Sequence, residues 1–455
     1  MLVWFSEWGC CTMSEISKWR DSSVFPVFPN LPIPDEVVRA SGCYLETARG
    51  ERLLDMTAGG SHYAIVGWDR PEVNQSISDQ LSRYAHVDYK LWRDPRVEEL
   101  ASLLISRAPT GLDRVYFAGN SGAEACEAAM KMSYQLHCEL GHESKTWFIG
   151  RDQSYHGSTS DALALGDRPN LAFFHPMLNP QRTRVPMHHY SKLAYQGESE
   201  SDYAQRCADQ LEAEILRIGP HRVAAFVGET MMGGLVGDVP PVGRYWSLIR
   251  EVCDQYDVHL IMDEIYCGTG TSGTYFCCER DEVTPDFLLL GKTLAAGYGP
   301  IDAVITRSRF LDVISAGQGR LQHTTTFQAH SLSVVAALAV QRIVCESGFL
   351  HDVEELGQDL RAQIRARLGE QPAFKEVRGR GLRFSVEHTF KDQVDFGREL
   401  EQRMRHRHGV LVSAKWHRIS ITPPLVVSRE ESTQAVDQVC DEFVALAHGR
   451  ELLDA

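Results

Sequence analysis

A lysine that is to form an imine must have its ammonium partly stripped of water, and Lys292 stands where that happens. The apolar run Phe287-Leu288-Leu289-Leu290 breaks at Gly291 and gives way to small residues from Thr293 to Pro300. Lys292 therefore falls at the carboxyl end of a buried strand. A second buried run, Val258-His259-Leu260-Ile261-Met262, ends in Asp263. Two strands thus present a cation and a carboxylate at corresponding ends, the edge of open α/β sheets where ligands bind. A lone Gly-Lys is more often a surface lysine with its stem laid along apolar surface, so the neighbours decide.

Three neighbours bear on the same chemistry. Val115-Tyr116-Phe117-Ala118-Gly119-Asn120-Ser121-Gly122-Ala123-Glu124 reads as a strand, a Gly/Ser turn and an Ala-rich helix running through Lys131. Backbone N–H groups at that helix start, with the Ser121 hydroxyl, can hold a phosphate. Alone it reads equally well as an N-cap with Glu124 nearby. Tyr155-His156-Gly157 follows the strand-like Thr146–Ile149 and puts an aromatic ring, able to stack on a heterocycle, at a third strand end. Glu229 closes the buried run Val223-Ala224-Ala225-Phe226-Val227 and joins the rim, where carboxylates seldom serve packing. A Schiff-base lysine with an Asp opposite a ring nitrogen is the recurring protein frame of pyridoxal phosphate (PLP).

The elements that must position these residues alternate from about 70 to 330, which predicts a largely parallel sheet with helices on both faces. Tyr245, Leu248, Ile249 and Val252 make Arg244 to Gln255 the clearest helix. Gly50-Glu51 between Gly42–Thr47 and Arg52–Met56 predicts a hairpin. After an apolar helix over Leu332 to Cys345, helices at Glu355–Leu368, Val394–His406 and Glu430–His448 mix with strands at Arg383–Val386 and Arg418–Ile421. Asp167 to Ser201, rich in Pro, Arg and His, reads as a long loop near the site.

The 455 residues are 43% hydrophobic and 24% charged, ordinary globular composition, and no apolar run approaches the roughly 18 residues of a membrane span. A net charge of −15 argues against nucleic acid or an anionic membrane as partner. The twelve cysteines are scattered; the pairs Cys10-Cys11 and Cys277-Cys278 lack zinc-ligand spacing and read as reduced packing residues of a cytoplasmic protein. Met1 to Thr12 has no basic n-region, and Met13 is a second candidate start. Gly268-Thr269-Gly270-Thr271-Ser272-Gly273 matches a dinucleotide pattern, but no helix opens at its third glycine, so it is discounted. The histidines show no ligand spacing, and no metal is expected.

Taken together the segments resemble the class III (omega-type) aminotransferases, a branch of the fold type I PLP-dependent enzymes. The resemblance runs from about Gly42 to Glu430. Asn120-Ser121-Gly122-Ala123-Glu124, Tyr155-His156-Gly157, Asp263-Glu264-Ile265, Gly291-Lys292 and Pro423-Pro424-Leu425 stand in the family's order. It implies an α/β fold: a large PLP-binding domain over 66–330 with a mostly parallel sheet, and a smaller α+β domain from both termini, residues 1–65 and 331–455. It implies Lys292 as the Schiff-base lysine, moving the proton between Cα and C4′, and Asp263 as partner of the pyridine nitrogen. Ser121, Gly122 and Ala123 would hold the phosphate, with Tyr155 and Ile265 on opposite ring faces and His156 and Glu229 in the same cofactor-binding set. Thr326 matches a threonine that completes the phosphate site of the neighbouring subunit, so a homodimer with active sites at its interface is implied.

Departures from the family concern the substrate. Ser420 stands where many members carry a carboxylate-binding arginine paired with the glutamate that matches Glu229, and Ser413 where amine-using members place theirs. Arg418, two residues before Ser420 and on the same face of a strand, is the candidate replacement, and Trp92 a second substrate contact. Thr324, Ala329, Ser331, Thr271 and Tyr266 depart from the pattern without removing a catalytic atom. The expected activity is transfer of an amino group from an amine, ω-amino acid or biosynthetic intermediate to a 2-oxo acid such as pyruvate or 2-oxoglutarate. An aminomutase, a decarboxylating transaminase and a non-catalytic PLP-fold binding protein remain open as alternatives.

Overall fold

The computed structural model describes residues 22–28 and 33–453. Cys10-Cys11 and the candidate start Met13 lie outside them.

Three consecutive strands, Val223–Glu229, His259–Asp263 and Phe287–Leu290, are buried at every residue. Unbroken apolar runs form here because helices cover both faces of the sheet, leaving no solvent side to demand alternation. They sit inside a seven-stranded sheet in the order Arg114–Tyr116, Ala303–Thr306, Phe287–Leu290, His259–Asp263, Val223–Glu229, Trp147–Arg151, Arg182–Val185. Only Ala303–Thr306 runs against the rest, antiparallel to both neighbours. Register sets Glu229 opposite Asp263 and Asp263 opposite Leu289, so the carboxyl ends of the central strands form one rim.

The helix Gly122–Glu139 lies across one face, burying Ala125, Ala128, Ala129, Met132 and Leu136 among Phe148, Val227, Ile261 and Leu289. On the other face Tyr245–Gln255 and Glu200–Ile218 pack on the sheet through Trp246, Ile249, Leu211 and Ile215. Ser331–Val344 packs against Pro71–Leu81 and Pro95–Arg107. No single helix among the described residues is long and apolar enough to cross a membrane.

The smaller α+β part draws on both ends of the chain. Val37–Ser41, Tyr44–Thr47 and Arg52–Asp55 form an antiparallel meander whose last strand pairs in parallel with Val410–Leu411. A second antiparallel sheet runs Phe374–Arg380, Arg383–His388, Arg418–Ile421, Ser413–Lys415. Phe349–Leu368, Gln393–Arg403 and Arg429–Ala447 pack with these strands.

The hairpin, the helices at Tyr245–Gln255 and Ser331–Val344, and the strand Arg418–Ile421 fall where the sequence pattern puts them. Three expectations need correction. The loop expected over 167–201 contains the edge strand Arg182–Val185 and short helical turns at Leu171–Phe174 and Tyr190–Leu193. A polar Arg-Thr-Arg-Val strand that pairs on one side only has no apolar signature. The helix expected from Glu355 begins at Phe349, just after Gly348 at φ 86°. The helix expected over Val394–His406 ends at Arg403 and continues as a π-turn, Met404–His408. The strand Val37–Ser41 is largely exposed, Phe374–Arg380 and Ser413–Lys415 mix half-buried and buried positions, and none of the three shows the clean alternation that would have marked it in the sequence.

Candidate active site

Lys292 leaves the buried strand Phe287–Leu290 through Gly291 and enters a 3₁₀ turn at φ 31°. A non-glycine residue in that half of φ space is held there by its surroundings, and such strain concentrates at functional positions. Its Nζ lies 5.7 Å from the ring centroid of Tyr155 and 5.9 Å from that of Tyr266. Burial lowers its pKa below the ordinary lysine value, Asp263 opposes that, and the Arg383 charge lowers it further.

Asp263 ends the adjoining strand and is 3% exposed. Its Oδ2 lies 2.8 Å from Nδ1 of His156, and its Oδ1 accepts the N–H of Ile265 at 3.0 Å. Two anchors from two loops fix the carboxylate's plane, and Nε2 of His156 stays buried without a partner. Glu229, at the next strand end, accepts the N–H groups of Tyr155 at 3.1 Å and Gly233 at 2.9 Å. Burial raises its pKa. Glu229 therefore orients the Tyr155 loop from below.

The opposite end of the cavity is built for an anion. Ser121, in extended conformation, caps the helix Gly122–Glu139, and the Glu124 carboxylate turns back to accept the N–H groups of Asn120 and Ser121. Asp302 accepts those of Gly119 and Ala125. The N–H groups of Gly122 and Ala123 find no acceptor among the described residues, leaving two donors at the positive end of an 18-residue helix. A Cβ on Gly122 would meet Ile265 at 2.5 Å, and one on Gly157, at φ 144°, would meet Cβ of Ala123 at 2.4 Å. The phosphate loop, the Tyr155 loop and Ile265 can close together only because both residues are glycine.

These groups line one cavity of about 720 Å³: Ser121, Gly122, Ala123, Tyr155, His156, Glu229, Asp263, Ile265 and Lys292 all contribute. Their order fits a phosphorylated pyridine aldehyde: free N–H donors for a phosphate, a fixed carboxylate for a ring nitrogen, apolar and aromatic walls for the ring, and a desolvated amine for the aldehyde. The orphaned Thr159 hydroxyl and His156 Nε2 lie in the same lining.

Trp92 and Arg418 are not brought into this cavity, and Thr326, expected to serve the neighbouring subunit's site, lies outside it as well. Thr326 is exposed, and Trp92 is 66% exposed. Arg418 does share a face with Ser420, since a Cβ on Gly237 would strike Cδ of Arg418 and also approach Oγ of Ser385, which is 3.1 Å from Oγ of Ser420. Its guanidinium, however, donates to the carbonyls of Gly234 and Leu235, and it lines the neighbouring cavity instead. Burial lowers its pKa to about 10.

Sequence reasoning missed several walls. Tyr63 and Trp68 come from the N-terminal segment, and Tyr266 donates to Asp238 at 2.7 Å. Arg383 lies behind Tyr266, its Cζ 4.4 Å from the ring centroid, 2% exposed, with Nε and Nη1 unpartnered. The signal for Tyr63 was Gly59-Gly60, both at positive φ, in a segment that turns sharply just before it. Arg383 had only its place at the start of a strand expected from the sequence.

The sequence matches the family model described as aminotransferase class-III over residues 29–443. An uncharacterized aminotransferase of Schizosaccharomyces pombe is 32% identical over 443 residues, 94% of this chain and 96% of that protein. A chloroplastic gamma aminobutyrate transaminase 3 of Solanum lycopersicum is 29% identical over 416 residues, 89% of this chain and 79% of that protein. Among solved structures, an omega transaminase from Pseudomonas jessenii in complex with PMP superposes with a TM-score of 0.88 at 28% identity, covering 96% of this chain and 98% of that one.

Proposed function

This chain belongs to the class-III aminotransferase family, and from that premise we propose that its amino donor is an amine or ω-amino acid and its acceptor pyruvate or 2-oxoglutarate. The chain is a PLP-dependent aminotransferase of fold type I. The observation that carries the finer reading is the cavity wall itself, where Lys292 is the only lysine or arginine among the lining residues. With Ser420 and Ser413 in place of arginines, nothing charged beside Lys292 selects for a carboxylate next to the reacting carbon.

When bound, PLP supplies the electron sink that lets an amino group pass from one carbon skeleton to another. The chain's own residues do the rest. Asp263, held by His156 and the Ile265 N–H, keeps negative charge at a fixed point and so holds a proton on a ring nitrogen placed against it. Gly122 and Ala123 N–H groups with Ser121 anchor the phosphate. Tyr155 and Ile265 wall the ring and exclude water. Lys292 Nζ, its pKa lowered by burial, is the group placed to exchange a proton with the substrate carbon.

The active unit in this reading is a homodimer in the cytoplasm. The outward position of Thr326, away from its own chain's cavity, supports its supply to a neighbouring subunit's phosphate site. The ten described cysteines are all free, which accords with a reducing compartment. The decisive experiment screens amines and ω-amino acids against pyruvate and 2-oxoglutarate, reading alanine or glutamate formed. Protein that binds PLP yet forms neither product with any such donor would refute the substrate reading.

A further inference from the structure

Toward the amino ends of the central strands, on the rim opposite Lys292, the side chains of His137, His142 and Asp257 bring one nitrogen or oxygen each within 4.8 Å of one another. The end of the helix Gly122–Glu139 places the two histidines. Gly141, at φ 82°, donates its N–H to the carbonyl of Cys138 at 2.9 Å, and His142 donates to that of His137 at 2.8 Å. These reversed bonds close the helix in the Schellman manner and fold residue 142 back against residue 137. Asp257 comes from the turn between Tyr245–Gln255 and His259–Asp263, where it holds φ 51°, a conformation that aspartate tolerates better than most residues. No short motif announces the set, because the fold supplies its third member from a distant turn.

His137 is the informative member. Its ring is fully buried and stacks on that of His259 with centroids 4.2 Å apart. Nε2 lies 3.0 Å from the carbonyl oxygen of Ala224, and a carbonyl only accepts, so Nε2 carries the proton. Nδ1 is left as a bare lone pair, buried and without a partner. An imidazole with one nitrogen donating to a backbone carbonyl and the other free is arranged as a metal ligand is. Nδ1 of His142 stands 3.4 Å from Oδ2 of Asp257, and both residues are exposed. Two atoms bound tetrahedrally to zinc, each at about 2.1 Å from it, are also about 3.4 Å apart. An exposed ion pair accounts for the approach of His142 and Asp257 but not for the unused lone pair of His137 beside them. Lys145 stands 3.5 Å from the same Oδ2, yet its ammonium donates to the carbonyls of Val223, Tyr256 and Asp257, as many acceptors as it has protons. Its charge tempers the affinity of the site without filling it.

We propose that His137, His142 and Asp257 bind a divalent transition-metal ion, zinc by preference, as a structural clasp. Two imidazoles and one carboxylate suit zinc and disfavour magnesium and calcium, which take oxygen ligands. The 18-residue helix that carries His137 is about 27 Å long, and its other end forms the anion site. The clasp therefore takes no part in the chemistry at Lys292. It ties the far end of that helix to the turn ahead of the strand that ends in Asp263, so its effect is on stability and holds whatever the substrate. The test is calorimetry and thermal unfolding of tag-free, PLP-loaded protein with zinc chloride, and with magnesium chloride as the contrast. Zinc binds at about one ion per chain and raises Tm, as a ligand of the folded state does, while magnesium does neither. His142→Gln and Asp257→Asn, both at exposed positions and so expected to fold, each weaken zinc binding at least about tenfold. Zinc binding equal in wild type and both variants, no rise in Tm with zinc, or an equal response to magnesium overturns the proposal.

Discussion

Nδ1 of His156 meets Oδ2 of Asp263 at 2.8 Å, and the pair comes from two different strand ends, those of Trp147–Arg151 and His259–Asp263. The contact locks the carboxylate in one orientation before any cofactor arrives. Such outer partners of a binding group are worth roughly 10- to 100-fold in retention. His156→Leu should therefore lose PLP about tenfold more readily on dialysis, while Asp263→Asn, which keeps the shape and removes the charge, should lower kcat by roughly a hundredfold or more. Equal PLP retention in His156→Leu and wild type would dismiss the locking role.

The buried position of Lys292 gives a pH prediction with a definite sign. Carbonyl capture needs the neutral amine, and burial lowers the pKa of Lys292 below the ordinary 10.5. The rate of PLP incorporation into PLP-free protein should rise with pH and level off below 10.5, where an exposed lysine would still be gaining reactivity. Lys292→Ala should fold, as judged by circular dichroism, keep no visible PLP band after gel filtration, and lose at least about a thousandfold in activity. An inflection at 10.5 or above would refute the desolvation argument.

Gly157 is a purely steric test. Its φ of 144° disfavours any side chain, and a Cβ would land 2.4 Å from that of Ala123. Gly157→Ala should cost about 1–3 kcal/mol in urea unfolding and loosen PLP at the phosphate end. Ala at Gly197, which also has positive φ but open space around it, provides the control: strain without the clash.

Asp302 links stability to pH beneath the anion site. Burial pushes its carboxyl up to about 8, although the N–H groups of Gly119 and Ala125 pull the other way. A carboxyl that holds its proton more tightly folded than unfolded stabilises most below its unfolded value, 3.8, and that stability declines as pH rises to about 8. Tm of the wild-type protein should fall across that window by more than Tm of Asp302→Asn. Parallel Tm curves for the two would show that Asp302 has the same pKa folded and unfolded.

The legible parts of the sequence were those where burial on both sides removes ambiguity. Phe287–Leu290 and Val223–Glu229 carry no polar interruption, so their ends, and with them Lys292 and Glu229, could be placed to the residue. Edge strands such as Arg182–Val185 and Ser413–Lys415 answer to one neighbour and to solvent, and their residues record neither clearly. The site divided the same way. Residues at strand ends were found, whereas Tyr63, Trp68 and Thr159 reach the cavity through loops whose course no local pattern encodes. Arg418 was placed on the right face of the right strand but in the wrong cavity, because the carbonyls of Gly234 and Leu235 that capture it belong to a distant loop.

The pairing of Leu54 with Val410 has a consequence in time rather than in space. The strand Arg52–Asp55 obtains its outer partner, through the N–H groups of Leu54 and Met56 bonded to Gly409 and Leu411, only once nearly the whole chain has left the ribosome. Closing so long a loop is slow relative to local helix formation. A chain interrupted before residue 410 would carry Lys292 and Asp263 in a cavity whose N-terminal wall is reached through a strand, Arg52–Asp55, still lacking its outer partner.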